Sequence, residues 1–217
     1  MSTKRNSIVI VEDNILSRVT LKKTIDKISG LHVCADFDNA EDCLNYLSSN
    51  QGADIVIMDA TLPCMNGIEA SILMKKYNPD IKIIITIPDN SETQVITTLL
   101  ANADAYYIRD VKPNKIEEII NKISSGYISI DDRIQKALFN HIKHLPKETY
   151  IAFIDNLSSE ETKFIKMSSK GFSGNDIAKY LGITLPNLNN YTYSILKKLE
   201  HVTYFSKLKQ EFKYDLF

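Results

Sequence analysis

The chain has 217 residues, of which 44% are hydrophobic and 24% charged, and its formal net charge is −1. This composition is ordinary for a soluble protein, and the length accommodates one large domain or two smaller ones. The charge is uneven, because residues 1–126 carry 13 basic and 17 acidic side chains whereas residues 151–217 carry 9 and 7. Such a distribution fits a domain with an acidic site joined to a nucleic-acid binder.

Cysteine use and hydropathy exclude a disulfide scaffold and a membrane span. The three cysteines are Cys34, Cys43 and Cys64. Their odd number and spacing predict no disulfide framework, which favours a reducing cytoplasm. The apolar run 8–11 is too short for the core of a signal peptide, and the longest run, 81–87, contains Lys82. We therefore expect a cytoplasmic protein with no membrane partner.

The first half alternates two hydrophobic periods. Short β-branched runs predict five strands, over residues 7–11, 31–35, 54–58, 81–87 and 105–108. Between and after them, apolar residues recur at helical spacing, as in the sets Ile15, Val19, Ile25 and Ile28, and Ile116, Ile119, Ile120 and Ile123. This alternation predicts an α/β fold with a five-stranded, parallel, doubly wound sheet of the flavodoxin-like type.

After Gly126 the strand pattern stops and helices follow. A helix is expected over residues 131–143, a break at Pro146 and only helices from Leu157 onward. Two N-terminal capping pairs support this, Ser158 with Glu161 and Ser173 with Asp176. We predict a first domain over residues 1–126, a linker with a helix over 127–150, and a second, all-α domain over 151–217.

Three carboxylates follow two of the expected strands. Glu12 and Asp13 come after the first strand, and Asp59 comes after the third. The carboxyl ends of parallel strands meet at one edge, where ligands bind. Each pair of carboxylates about 4 Å apart costs roughly 1 kcal/mol in water and about 4 kcal/mol at a surface-like dielectric. Mg²⁺ removes that penalty and leaves room for a phosphate oxygen.

Two further polar side chains are expected at the same edge. Thr86 ends the fourth strand and Arg109 ends the fifth. A metal, a carboxylate nucleophile and two partners for oxygen atoms are what the transfer of a phosphoryl group to Asp59 requires.

The residues around Asp59 resemble the phosphoacceptor loop of response-regulator receivers. The resemblance rests on the spacing of Asp59, Pro63 and Gly67, with the acidic pair upstream and Thr86 downstream, and covers about residues 5–125. It implies that Asp59 takes phosphate from a sensor histidine kinase. It also implies that Glu12 or Asp13, Asp59 and the main-chain oxygen of Thr61 hold Mg²⁺, and that Thr86 and Tyr106 reorient on phosphorylation.

Two positions depart from the family. Arg109 stands where the family has Lys, and Ile87 stands where a small residue is usual. Arginine keeps the charge and can bind phosphate through two bonds, but it is longer and planar. We expect these changes to slow phosphorylation or to lengthen its lifetime, and a receiver independent of phosphate stays an open alternative.

The second domain contains a predicted helix-turn-helix. A helix over 173–181 is followed by a turn at Gly182 and a helix from Thr184 to about Leu199. On the second helix Leu188, Thr192, Ile195 and Leu199 share the expected inner face. Asn187, Asn190, Tyr191, Ser194 and Lys198 share the opposite face.

This module resembles the LuxR-type helix-turn-helix. A receiver followed along the chain by such a module is the domain order of NarL/FixJ-type regulators. The resemblance predicts binding of double-stranded DNA, in which asparagine pairs with adenine and lysine contacts phosphates. The residues assigned to this role are Asn187, Asn189, Asn190, Tyr191, Ser194, Lys197 and Lys198. The family tends to carry Thr-Val-Lys at the positions 187–189, and it often has Arg where this chain has Glu160. We therefore expect weak non-specific binding of DNA.

A last helix is expected from about Thr203, with an apolar face of Phe205, Leu208, Phe212 and Leu216. It packs on its own bundle or forms the seam of a homodimer on activation, so that two recognition helices reach successive major grooves about 34 Å apart.

The resulting interpretation is a transcriptional regulator rather than an enzyme. One alternative is a signalling adaptor whose helical domain binds protein. Another is a metal-dependent phosphatase, against which the sequence offers no second metal cluster and only scattered histidines, His32, His141, His144 and His201.

Overall fold

The computed structural model describes residues 6–49, 52–88, 98–109, 113–200 and 202, which form two compact units. The first unit comprises most residues up to 129 and the second most of those from 130. Up to residue 130 the elements are β1 (Asn6–Val11), α1 (Ile15–Ile25), β2 (Leu31–Phe37), α2 (Ala40–Ser48), β3 (Ile55–Asp59), α3 (Gly67–Tyr77), β4 (Lys82–Ile87), a 3-10 helix (Leu99–Ala101), β5 (Ala105–Ile108), α4 (Pro113–Ser124) and β6 (Ser129–Ile130).

The strands form one sheet in the order β2-β1-β3-β4-β5-β6, and the first five pair in parallel. The predicted parallel α/β fold is confirmed. The sheet has six strands rather than five, because Ser129 donates its main-chain N–H to the carbonyl of Asp104 at 3.0 Å. A strand of two residues is too short to produce a periodic pattern, so the sequence did not predict it.

One face of the sheet packs against α1 and α4. Its core consists of Ile8, Ile10, Ile25, Leu31, Ile55, Ile57, Ile84, Ala105, Tyr107, Ile116, Ile119, Ile120 and Ile123. The predicted apolar face of α4 is therefore confirmed, since all four of its isoleucines are buried. Because strand residues alternate between faces, Ile57 and Asp59 lie on the same side of β3, and this core ends directly beneath the acidic edge.

The predicted inner face of α1 is wrong in part. Ile15 and Val19 are 64% and 42% exposed, whereas Ile25 is fully buried and Leu21 packs against the core. At about 100° per residue, Ile15 and Val19 lie on roughly the opposite side of the helix from Leu21. The side of α1 that packs on the sheet is therefore the one that carries Leu21 and Ile25.

The second unit consists of helices, as predicted. They are α5 (Asp132–Lys143), α6 (Lys147–Ile154), α7 (Ser159–Ser168), α8 (Gly174–Leu181) and α9 (Leu185–Glu200). The rings of Phe139 and Phe164 meet edge to face with centroids 5.2 Å apart, so α5 packs within this unit. The helix expected in the linker thus contributes to the bundle core, while the domain limits at 126 and 150 stay predictions.

Both predicted caps form. Ser158 and Glu161 make a reciprocal capping box at the start of α7, and Ser173 caps α8 through the N–H of Asp176. Gly182 ends α8 in the left-handed conformation with φ 67°, which glycine adopts without steric cost. No helix among the described residues is long and apolar enough to cross a membrane. The helix predicted from Thr203 lies outside the described residues.

Gly67 provides a stability test of the loop after β3. A Cβ atom there would lie 2.0 Å from the carbonyl oxygen of Asp59. We expect Gly67→Ala to lower the free energy of unfolding by about 3 kcal/mol or more, because the neighbouring backbone must move. Gly52→Ala is the matched control, since no atom lies within 4 Å of its added methyl group. Urea denaturation measures both, and equal stability of the two variants would contradict the close approach.

Candidate functional site

The parallel register of β1 and β3 brings the three acids together. Val11 pairs with Met58, so the residues that follow them, Glu12 and Asp59, lie side by side at the carboxyl edge of the sheet. One carboxylate oxygen from each of Glu12, Asp13 and Asp59 lies within 4.8 Å of the others. Glu12 and Asp59 are only 4% and 1% exposed, and Asp13 is exposed. The predicted cluster therefore exists, and two of its three charges are buried.

Both oxygens of the Asp59 carboxylate have partners. Oδ1 accepts hydrogen bonds from the main-chain N–H and the hydroxyl of Thr61, each at 3.0 Å. Oδ2 accepts a hydrogen bond from the guanidinium of Arg109, which forms an ion pair with it. The Arg109 guanidinium also lies 3.3 Å from the Thr61 hydroxyl. Arg109 thus lies in the pocket, as the sequence predicted, and pairs directly with the expected nucleophile.

The loop between β3 and α3 is held from several sides. Asn66 caps α3 in a reciprocal capping box with Glu69. Glu41, at the start of α2, accepts a hydrogen bond from the N–H of Met65 at 3.1 Å. Cys64 has φ 61°, a conformation that is uncommon for residues other than glycine. The sequence did not reveal these supports, apart from the Asn-x-x-Glu spacing, which is a general sign of a cap.

Thr86 and Tyr106 take different positions around the site. Thr86 pairs in register with Asp59 and donates its hydroxyl to the carbonyl of Met58 at 3.4 Å. Tyr106 is 3% exposed, and its hydroxyl accepts a hydrogen bond from the N–H of Ala103 at 2.8 Å. Thr86 is therefore at the acidic edge, while the tyrosine side chain is enclosed next to it.

Burial and charge alter the proton affinity of this site. The pKa of Glu12 is raised above its ordinary value, mainly by burial and next by the negative charge of Asp59. The positive charge of Arg109 lowers this pKa and so offsets part of the rise. Burial alone would lower the pKa of Arg109, but its hydrogen bond to Asp59 and the surrounding carboxylates raise it. The three acids thus face the guanidinium of Arg109, while the neighbouring Arg18 donates to the main-chain carbonyls of Glu12 and Asp13 and pairs with Asp36. Among the described residues this leaves an excess of negative charge when all are ionised.

The recognition helix α9 meets two of the predicted requirements. Leu188, Thr192, Ile195 and Leu199 are buried, and Asn187 and Asn190 are exposed. Lys197 places its ammonium 5.3 Å from the ring centroid of Tyr193. The side chain of Asn189 lies outside the described part. Asn187 and Asn190 are accordingly exposed to solvent on α9.

Three other residues assigned to DNA face α7 instead. Ser194 donates its hydroxyl to Glu161 at 2.6 Å, and Lys198 forms a salt bridge with the same carboxylate at 2.6 Å. Tyr191 packs against Phe164, with ring centroids 6.2 Å apart. Burial would raise the pKa of Glu161, but the bonds from Lys198 and Ser194 lower it overall. Glu161, which the sequence predicted only as part of a helix cap, thus also joins α7 to α9.

A family model for the response regulator receiver domain matches residues 8–123. The chain belongs to this family. The matched region contains the acidic cluster, Thr86 and Arg109, and the helical unit that follows makes the whole chain a response regulator of the NarL type.

Curated relatives and solved structures extend over both units. The chain is 27% identical to the response regulator UvrY of Escherichia coli (strain K12), over 89% of this chain and 87% of UvrY. It is 25% identical to the response regulator GacA of Pseudomonas aeruginosa, over 88% of each. The RcsB response regulator of Salmonella typhimurium has a similar fold, with a TM-score of 0.57 at 17% identity over 95% of this chain and 98% of RcsB.

The raised pKa of Glu12 predicts a pH-dependent effect of Glu12→Gln in metal-free buffer. A carboxyl that binds its proton more tightly in the folded state destabilises that state as pH rises above the ordinary value of 4.5. The glutamine does not titrate, so we expect the variant to become progressively more stable than the parent between pH 4 and 7. Urea denaturation at each pH measures the difference, and exposed Glu117→Gln is the control. A difference that shrinks with pH would contradict the assignment.

Proposed function

We propose that this response regulator accepts a phosphoryl group on Asp59 from a sensor histidine kinase and regulates transcription by binding DNA. The observation that carries the proposal is the buried Asp59 carboxylate, within 4.8 Å of two further acids and paired with Arg109 at the carboxyl edge of the sheet. The two-unit architecture and the receiver family support it.

The donor set fits a magnesium ion. Oxygen ligands, two of them on buried carboxylates, are what this hard cation prefers, and its charge balances the excess of negative charge. Glu12, Asp13 and Asp59 would hold it, and the carbonyl of Thr61 is the proposed fourth protein ligand. When bound, Mg²⁺ supplies charge neutralisation and a coordination position for a phosphoryl oxygen.

In the proposed transfer an oxygen of Asp59 attacks the phosphorus of the kinase phosphohistidine. An O–P bond forms, the P–N bond breaks, and the electron pair stays on the leaving imidazole nitrogen. Oδ2 is the oxygen proposed to react, because Oδ1 is held by two donors from Thr61. Arg109 must exchange its bond to Oδ2 for bonds to phosphoryl oxygens, and Thr86 supplies a hydroxyl to another of them.

We further propose that phosphorylation alters the surroundings of Thr86 and Tyr106. Movement of Thr86 toward the phosphoryl group gives up a hydrogen bond of 3.4 Å, which is a weak one. Tyr106 is held by the N–H of Ala103, so its reorientation requires the breaking of a buried hydrogen bond. A few kcal/mol of differential stabilisation is enough to shift such an equilibrium.

Asp59 is tested by chemical phosphorylation. Incubation of the full chain with acetyl phosphate and Mg²⁺ should add one phosphoryl mass, because the carboxylate needs only a small phosphodonor. We expect Asp59→Asn to abolish the addition and exposed Asp80→Asn to retain it. Intact-mass spectrometry with and without a chelator gives the result. An unmodified parent, or equal labelling of Asp59→Asn, would overturn the proposed acceptor.

The exposed face of α9 supports the proposed binding of DNA. Asn187 and Asn190 present amides that can pair with the N6 and N7 edge of adenine in the major groove. Lys197 is placed to contact a phosphate. RcsB has been solved as a complex with DNA. Because Lys198 is paired with Glu161 and Glu160 is exposed, we propose that base contacts contribute more to the affinity than phosphate contacts do.

Asn190 provides a test of base recognition. We expect Asn190→Ala to weaken binding to a selected genomic site by about 1–3 kcal/mol while random duplex binding is unchanged, since the amide contacts bases and not the backbone. Asn175→Ala, on the exposed surface of α8, is the matched control. Fluorescence anisotropy at two salt concentrations measures both. Equal losses on selected and random duplexes would contradict a base contact.

The second candidate function is a signalling adaptor whose helical unit binds protein. Its support is the number of exposed aromatic side chains on this unit. Among the described residues they are Tyr150, Phe172, Tyr180 and Tyr193, which are 39%, 48%, 69% and 38% exposed. Aromatic side chains are enriched at protein interfaces. Absence of any duplex binding by the phosphorylated chain at micromolar concentration and low salt would favour the adaptor.

A further inference from the structure

A cavity of about 280 Å³ lies between α1, α4 and the sheet of the receiver unit. Its floor is formed by Ile57, Ile84 and Tyr107, and Ile116 and Ile119 of α4 form one wall. The volume is near the lower end of the range for small-molecule sites, about 300–1,000 Å³. The exposed side chains of Leu16 and Thr20 lie at its rim, so the cavity opens to solvent beside the phosphoacceptor site.

The orientation of α1 produces this cavity. Leu16, Ser17, Thr20, Leu21 and Thr24 line it, at the spacing of one helical face. Three of these five side chains are short and carry a hydroxyl, so they do not reach the opposite wall. The bulkier Ile15 and Val19 are directed to the outer surface.

One end of the cavity reaches the acidic site. Glu12, Thr86 and Arg109 line that end. The Nε of Arg109 is buried and has no hydrogen-bond partner among the described residues, whereas its terminal nitrogen pairs with Asp59. An unsatisfied buried donor of this kind is costly, and an acceptor placed in the cavity end would satisfy it.

Charge decides what kind of acceptor fits. Among the described residues, the carboxylates of Glu12, Asp13 and Asp59 outnumber the guanidinium of Arg109, and the nearby Arg18 is paired with Asp36, so an anionic ligand would be repelled. A cationic head would compete with Mg²⁺ for the carboxylates and would meet Arg109 directly. A neutral acceptor such as a carbonyl oxygen satisfies Nε and adds no charge. The isoleucines of the sheet and of α4 favour an apolar body, while the hydroxyls of Ser17, Thr20 and Thr24 line the side formed by α1.

We propose that this cavity binds a small neutral molecule with an apolar body and one carbonyl-type acceptor, which bonds to Arg109. Through Arg109 the ligand is coupled to Asp59. The coupling rests on the proposed function, and by linkage each event changes the affinity for the other by the same factor. Binding of the ligand does not require phosphorylation, so it can be measured on the unphosphorylated chain.

Ligand-observed NMR on the unphosphorylated full chain tests the proposal with four probes of similar size. Acetophenone is neutral with a carbonyl acceptor, ethylbenzene has no acceptor, benzoate is an anion and benzylamine is a cation. We expect acetophenone to bind with a Kd of about 1 mM, a value typical of ligands with so few atoms. The other three should bind about tenfold more weakly. No acetophenone binding, or equal binding of benzoate, would overturn the proposal.

Three variants locate the site. Thr24→Leu fills the cavity with a larger side chain, and leucine is a good helix-forming residue. We expect this variant to weaken acetophenone binding more than about tenfold. Val19→Leu, on the outer surface of the same helix, should bind like the parent. Arg109→Lys removes the Nε donor and should abolish the preference for acetophenone over ethylbenzene. Acetyl phosphate should still label Thr24→Leu. Persistent labelling shows that the variant has lost the cavity but keeps a working phosphoacceptor site at Asp59. Unchanged binding in Thr24→Leu, or an unchanged preference in Arg109→Lys, would contradict the assignment.

Discussion

The ion pair between Asp59 and Arg109 is the interaction on which the receiver site depends. Asp59 is 1% exposed and lies beside two further acids, so its charge requires compensation inside the fold. Removing one partner of a buried ion pair typically costs about 3–5 kcal/mol. The hydrogen bond from Arg109 also occupies Oδ2 of Asp59, the oxygen that is proposed to accept the phosphoryl group. The resting site is therefore stabilised by a contact that has to be exchanged before the chemistry can proceed, and an arginine makes this contact stronger and less mobile than a lysine would.

The backbone supplies the rest of the site. Parallel registers place Glu12 and Thr86 on either side of Asp59, because β1 and β4 are its two neighbours in the sheet. Thr61 orients one oxygen of the carboxylate, and the absence of a Cβ at Gly67 allows α3 to begin against the carbonyl of Asp59. These contacts hold the carboxylate of Asp59 in one orientation at the edge of the sheet.

Sequence periodicity was sufficient for the fold and for the members of the acidic cluster, since both follow from where strands end. It failed where contacts join distant segments. Glu41 meets Met65 across 24 positions, and Glu161 meets Ser194 and Lys198 across 33 and 37, and no local pattern encodes such pairs. For α1 the pattern itself was ambiguous, because apolar residues lie on two sides of the helix, and only the packing of Leu21 and Ile25 against the core decides between them.

The central claim is that Glu12, Asp13 and Asp59 form one divalent-cation site beside the phosphoacceptor. The most direct test is a titration of the isotope-labelled, metal-free chain with MgCl₂, followed by the amide resonances of residues 12, 13 and 59–61. The account predicts saturable shifts confined to these residues and their neighbours, and loss of saturation in Asp59→Asn. Shifts that rise linearly to high concentration in the parent, or that persist in Asp59→Asn, would contradict it.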